Sequence, residues 1–147
     1  MRVCLQRVQK ASVSLKQSGE ITGSIGPGIL ILLGVCEADS EQDAEQLAEK
    51  VVHLRIFEDS DGKMNLPITE INGQILIVSQ FTLYGDCRKG RRPSFTEAAR
   101  PEKANALYQH FIKKVREFGI TVQEGLFQAE MSIELVNDGP VKIVVET

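Results

Sequence analysis

Apolar positions along the chain change period several times, and each change predicts an element. Met1 to Val13 alternates imperfectly and reads as a first strand; Ser12-Val13-Ser14-Leu15 alternates more cleanly. Gln17-Ser18-Gly19-Glu20 is turn-like, so a hairpin returning near Ile21 to Ile25 is expected. Gly26-Pro27-Gly28 punctuates the chain, and Ile29 to Val35 reads as a strand buried on both faces. The period then becomes helical. Asp39 or Ser40 caps a helix, with Asp43 completing a variant capping box, and Ala44, Leu47, Ala48, Val51 and Leu54 form its apolar stripe. Ile56-Phe57 begins a short strand, and Asp61-Gly62 and Asn72-Gly73 are turns. Ile75-Leu76-Ile77-Val78 is a second strand without a polar face.

Pro101 suits the first turn of a second helix, with Ala104, Leu107, Tyr108, Phe111, Val115 and Phe118 on its buried face and Gly119 ending it. Three closing strands are expected: 120–124, 128–136 and 141–146, the last two linked by Asn137-Asp138-Gly139-Pro140. The order is therefore β-β-β-α-β-α-β-β-β. Two helices cannot cover both faces of so many strands, so the fold class expected is mixed α/β in three layers, β/β/α.

The 147 residues suit one domain, residues 1–147. No apolar run is long enough to cross a bilayer. Cys4, Cys36 and Cys87 are too few and too scattered for a disulfide framework or a CxxC site, which points to reduced thiols in the cytoplasm. A net charge of −3 argues against a general polyanion binder and confines any nucleic-acid contact to a local patch. The patch available is Arg88, Lys89, Arg91 and Arg92, in the Gly- and Arg-rich loop after residue 85; its plain alternative is a solvated loop.

Chemistry concentrates at Ser79-Gln80-Phe81-Thr82, where a buried strand ends in hydroxyl and amide side chains and opens into that basic loop. The competing reading is a strand end whose Ser and Thr cap a turn. His53 and His110 both fall within predicted helices, and no triad, P-loop, HExxH or paired-carboxylate motif is present. An enzyme built from this chain is expected to need no cofactor and no metal. Gly139-Pro140 reads as a tight turn, or as a cis X–Pro segment where a backbone or ligand approaches closely.

Ser79-Gln80-Phe81-Thr82-Leu83 and Asn137-x-Gly139-Pro140 resemble the two signature motifs of the D-aminoacyl-tRNA deacylases. Met1-Arg2-Val3, Gln6-Arg7-Val8, Ala11-Ser12-Val13, Gly34-Val35 and Arg91-x-Pro93-Ser94-Phe95 extend the similarity over the whole chain. The resemblance implies hydrolysis of the ester joining a D-amino acid, or glycine mischarged on tRNA(Ala), to the terminal adenosine of tRNA, with L-aminoacyl esters spared. It implies a homodimer with the active site at the interface, Gly139 and Pro140 of one subunit entering the other's pocket. Arg7 and Asn137 would support that segment, and the basic cluster would meet the acceptor stem. The resemblance casts Thr82 as a nucleophile, whereas a threonine beside no base suits positioning better. The second motif's closing threonine is Lys142 here, expected to face solvent. The alternative is a non-catalytic tRNA- or nucleic-acid-binding module, against which 5% aromatic content and no Trp argue. A dimeric small-ligand binder is the third reading.

Overall fold

The structure is a computed structural model describing residues 1–147. The chain opens with β1 (Arg2–Leu15), turns, and returns along one edge of it as β2 (Ile21–Ile25) and β3 (Gly28–Gly34). Ala11 faces Ile25 and Val8 faces Gly28, so the expected hairpin is one long return interrupted at Gly26-Pro27. Helix α1 (Glu41–Val52) follows, capped by Ser40 with the reciprocal Asp43 bond. A short hairpin, β4 (Phe57–Glu58) and β5 (Met64–Leu66), turns at Asp61-Gly62; the sequence reading had its beginning but not its return. Then come β6 (Gln74–Ser79), α2 (Pro101–Glu117), β7 (Thr121–Glu124) and β8 (Met131–Glu146).

The sheet order is β2-β1-β3-β6-β7, with β8 on the other edge of β1. β3, β6 and β7 are parallel, and β1 is antiparallel to β2, β3 and β8. Stepping from β3 to β6 to β7 moves in one direction across the sheet. Crossovers are right-handed, so both connecting helices must lie on the same face. That leaves the other face to be covered by the sheet itself. It curls, bringing Gly23 of β2 within van der Waals reach of Gln123 and Glu124 of β7. The expected sheet-on-sheet layering is thus a single curled sheet.

Two apolar cores follow from this geometry. Val3, Leu5, Ile29, Ile31, Ile75 and Ile77 point toward the helices and meet Leu47, Val51, Phe111 and Val115. The alternate residues Leu30, Leu76 and Val78 point inside the curl and meet Val8, Val13 and Ile25. β6 is buried on both faces, as its unbroken apolar run predicts. Each such side chain stabilises the fold by roughly 1.5–3 kcal/mol relative to exposure. Gly28 permits the tight β3–β6 pairing, because a Cβ there would lie 1.8 Å from the Gln74 carbonyl oxygen.

Four expectations need correction. Residues 128–136 and 141–146 are not two strands but the single β8, which runs antiparallel beside all of β1. Residues 128–130 lie outside it. Turn-type residues at 137–140 misled the local reading: the intact edge of β1 supplies partners on both sides of them, so the strand continues. Leu54 lies beyond α1, half-buried. Phe118 caps the end of α2 and is 39% exposed, its ring edge-on to His53, because Gly119 turns the chain one residue later. His53 likewise caps α1 and is not inside it. No helix is long and apolar enough to cross a membrane.

Candidate active site

The carboxyl ends of β3, β6 and β7 converge, which is where open parallel arrangements leave a crevice. A pocket of about 660 Å³ lies there. Val35 follows β3, Ser79, Gln80 and Phe81 end or follow β6, and Phe127 to Met131 follow β7. Phe95, Ala98 and Ala99 form a further wall. Eleven of the sixteen lining residues are hydrophobic. Glu130 is the one ionisable side chain among them.

The polar groups of this pocket owe their placement to β6. Its last hydrogen bonds run to β3, and the Gln80 amide donates to the Leu33 carbonyl at 2.8 Å. The chain then tightens into a 3-10 turn, Phe81–Tyr84, in which the Leu83 amide donates to the Gln80 carbonyl at 3.3 Å. The first amides of such a turn have no acceptor within it. Phe81 and Thr82 therefore offer backbone donors at the pocket's edge. The Gln80 side-chain amide donates to the Thr82 hydroxyl at 2.5 Å. Phe81 is 56% exposed and meets Phe95 edge-to-face, with centroids 5.2 Å apart.

The turn is held from behind. Arg2 donates through Nη1 to the Leu83 carbonyl at 2.5 Å, and its guanidinium lies 4.7 Å from the centre of the Tyr84 ring. Burial pushes the Tyr84 phenol well above its ordinary pKa. Tyr108 of α2 donates to the Ile77 carbonyl at 2.9 Å, tying the helix to β6. Its phenol is also raised by burial.

Of the residues singled out from sequence, Ser79, Gln80 and Phe81 line the pocket. Thr82 stands outside the lining, attached to it through Gln80. Gly139 and Pro140 do not line the pocket of their own chain. They sit in a bulge of β8. Gln6 pairs with Lys142 and Val8 with Asn137. Arg7 alone thus faces Asp138, Gly139, Pro140 and Val141, and the surplus residues are displaced from the ladder. The Gly139–Pro140 peptide is cis.

Arg7, only 5% exposed, holds the base of this bulge. It donates through Nη1 to the Ile56 carbonyl at 2.7 Å and through Nε to the Asp138 carbonyl at 3.2 Å, with the Asp138 carboxylate 3.0 Å from Nε. The Asn137 side-chain oxygen accepts from Gln6 at 2.8 Å and from Lys142 at 3.3 Å. Lys142 is exposed, as expected, yet it reaches back across the bulge.

In the basic loop, Lys89, Arg91 and Arg92 are exposed. Arg88 is engaged with Asp86, at 2.9 Å and 2.8 Å to its two oxygens, and its guanidinium holds the Asp86 carboxyl down at about 2. No cluster of three or more His, Cys, Asp or Glu residues is arranged to hold a metal. Sequence reasoning missed the walls at Ala98, Ala99 and Phe127 to Glu130. Their signal was faint: small and apolar residues flanking a helix and a strand, with no period of their own.

Residues 4–146 match the family model described as D-Tyr-tRNA(Tyr) deacylase. A protein named D-aminoacyl-tRNA deacylase from Thermotoga petrophila is 54% identical over 147 residues, covering 100% of this chain and 97% of its own. One of the same name from Geotalea daltonii is 55% identical with the same coverage. Among solved structures, the c-Myc DNA Unwinding Element Binding Protein superposes with a TM-score of 0.92 at 36% identity, covering 100% of this chain and 99% of that one. A probable eukaryotic D-amino acid tRNA deacylase shares the fold, with a TM-score of 0.85 at 20% identity, covering 99% of this chain and 98% of its own.

Proposed function

The chain belongs to the D-Tyr-tRNA(Tyr) deacylase family, and from that premise we propose that it hydrolyses the ester of a D-aminoacyl-tRNA in the pocket at the end of β6. One observation carries the location. Ser79 and Gln80 bring polar side chains, and the turn after them the unpaired amides of Phe81 and Thr82, to a crevice whose remaining walls are mostly apolar. Apolar walls suit the adenosine and the amino-acid side chain. The amides of Phe81 and Thr82 suit the oxyanion that develops as the ester carbonyl is attacked. The attacking oxygen is that of a water held in place by the vicinal ribose hydroxyl; it adds to the ester carbonyl, the bond from that carbon to the ribose oxygen breaks, and the water's proton passes to the departing ribose oxygen. Thr82 accepts from Gln80 through its hydroxyl and has no neighbouring base, so it positions Gln80, and through it the substrate, and is not the nucleophile.

Chirality is sorted by shape. In a homodimer, the bulge at Gly139 and Pro140 enters the pocket of the partner subunit. Its backbone carbonyls hold the substrate ammonium and leave no room for a side chain in the L position. Glycine, including glycine mischarged on tRNA(Ala), passes. Arg7 keeps the base of the bulge fixed. Lys89, Arg91 and Arg92 meet acceptor-stem phosphates, while Arg88 with Asp86 shapes their loop.

The test is release of D-tyrosine from D-tyrosyl-tRNA by purified protein with chelator present, with L-tyrosyl-tRNA as comparison. The D ester is cleaved and the L ester spared, and Thr82→Ala keeps substantial turnover. Trapping an acyl-Thr82 intermediate would reverse the role given to that residue. Mixing Gly139→Asp chains with Phe81→Asp chains, each inactive alone, restores about a quarter of wild-type turnover, since half the dimers are mixed and each has one intact composite site. No recovery would confine each site to one chain.

A further inference from the structure

A second cleft, of about 500 Å³, adjoins the first pocket. Thr22, Asn105, Gln109 and Glu124 line it, and it shares Phe127 and Gln128 with the apolar pocket. Helix α2 spans both: Pro101 and Ala104 face the first, Asn105 and Gln109 the second. Gln128, on the dividing wall, has φ 63°, a backbone region that disfavours a side chain, yet it carries an exposed amide there. Phe127 and Gln128 thus form the wall common to the two cavities.

We infer that the cleft binds the nucleotide preceding the terminal adenosine and reads its base as cytosine. The inference rests on the pocket assignment above. The cleft is not built for phosphate. Its one charged lining side chain is Glu124, whose two oxygens accept from Arg116 Nη2 and Gln109 Nε2, each at 3.0 Å. The rest of its polar lining is amide and hydroxyl, suited to the edge of an unstacked base. Cytosine presents an amino donor beside two acceptors. A carboxylate accepts from the amino group while side-chain amides donate to the acceptors. Uracil reverses the first two positions and would set a carbonyl oxygen against Glu124.

The experiment measures deacylation of D-tyrosyl esters of adenosine, cytidylyl-adenosine and uridylyl-adenosine by wild type, Glu124→Gln and Asn105→Ala. In the wild type, KM for the cytidylyl ester is about tenfold below that for the uridylyl ester, with kcat shared. Glu124→Gln narrows that gap to about twofold or less. Asn105→Ala, at an exposed position, raises KM for both dinucleotide esters and leaves the adenosine ester alone. Full-length tRNAs carrying cytidine or uridine before the terminal adenosine give the same comparison if the short esters turn over poorly. Equal KM values for the two bases in the wild type, or no change in either variant, overturn the inference. Phe81→Asp separates the two levels. If it leaves cleavage of the adenosine ester intact, the pocket assignment fails. If it abolishes that cleavage while cytidine and uridine esters behave alike, only the cleft inference fails.

Discussion

Replacing Arg7 by Met keeps most of the apolar stem and removes the guanidinium, so its cost can be worked from the contacts. The ion pairs contribute little, because Asp138 is 41% and Glu58 is 63% exposed on their side chains, and Glu58 is 3.7 Å away. Solvent screening holds such pairs to at most about 1 kcal/mol. The bond to the buried Ile56 carbonyl counts for more, since a charged donor is lost and a carbonyl is left unsatisfied, at roughly 1.5–3 kcal/mol. The Asp138 carbonyl adds about 1 kcal/mol. The expected destabilisation is about 2.5–5 kcal/mol, with the neutral carbonyls outweighing the carboxylates. Urea unfolding of wild type and Arg7→Met gives the difference. Deacylation of D- and L-tyrosyl-tRNA under conditions where both proteins are folded gives the functional effect: D turnover falls and L exclusion weakens. A loss below about 1 kcal/mol together with unchanged chiral selectivity would refute the bracing argument.

Gly28→Ala places a Cβ 1.8 Å from the Gln74 carbonyl oxygen, a backbone atom that cannot yield without parting β3 from β6; the variant is expected to be insoluble or to lose more than about 3 kcal/mol in denaturant titration. Charge reversal at Arg91 and Arg92 weakens tRNA binding and lowers the slope of log affinity against log salt by about 2, read by filter binding across salt concentrations; an unchanged slope removes the loop from the interface. The Asp86 carboxyl, held down at about 2 by Arg88, contributes loop order that is complete above the ordinary carboxylate range and lost as pH falls through its folded value. An NMR titration of Asp86 shows this midpoint, and Arg88→Ala moves it back toward the ordinary range.

Local chemistry in the sequence determined much of this protein. The Ser40–Asp43 cap, the hairpin at Gln17 to Glu20, and the doubly buried β6 all arise from neighbours in the chain, and each formed where the pattern placed it. The residues that end β6 were legible for the same reason, because a polar turn after an apolar run is a local signal. Tertiary structure decided the rest. Asn137 to Pro140 looks like a link between strands until β1 supplies one continuous edge and turns the segment into a bulge facing Arg7. Phe127 to Glu130 become a pocket wall only because β7 ends beside β6. Thr82 stands outside the lining and Phe118 outside the core because a 3-10 turn and a helix end direct them away, and these terminations are set by packing as much as by propensity. A residue's intrinsic preference is fixed by its neighbours in sequence, whereas the walls of a cavity belong to segments that meet only once the sheet has closed on itself.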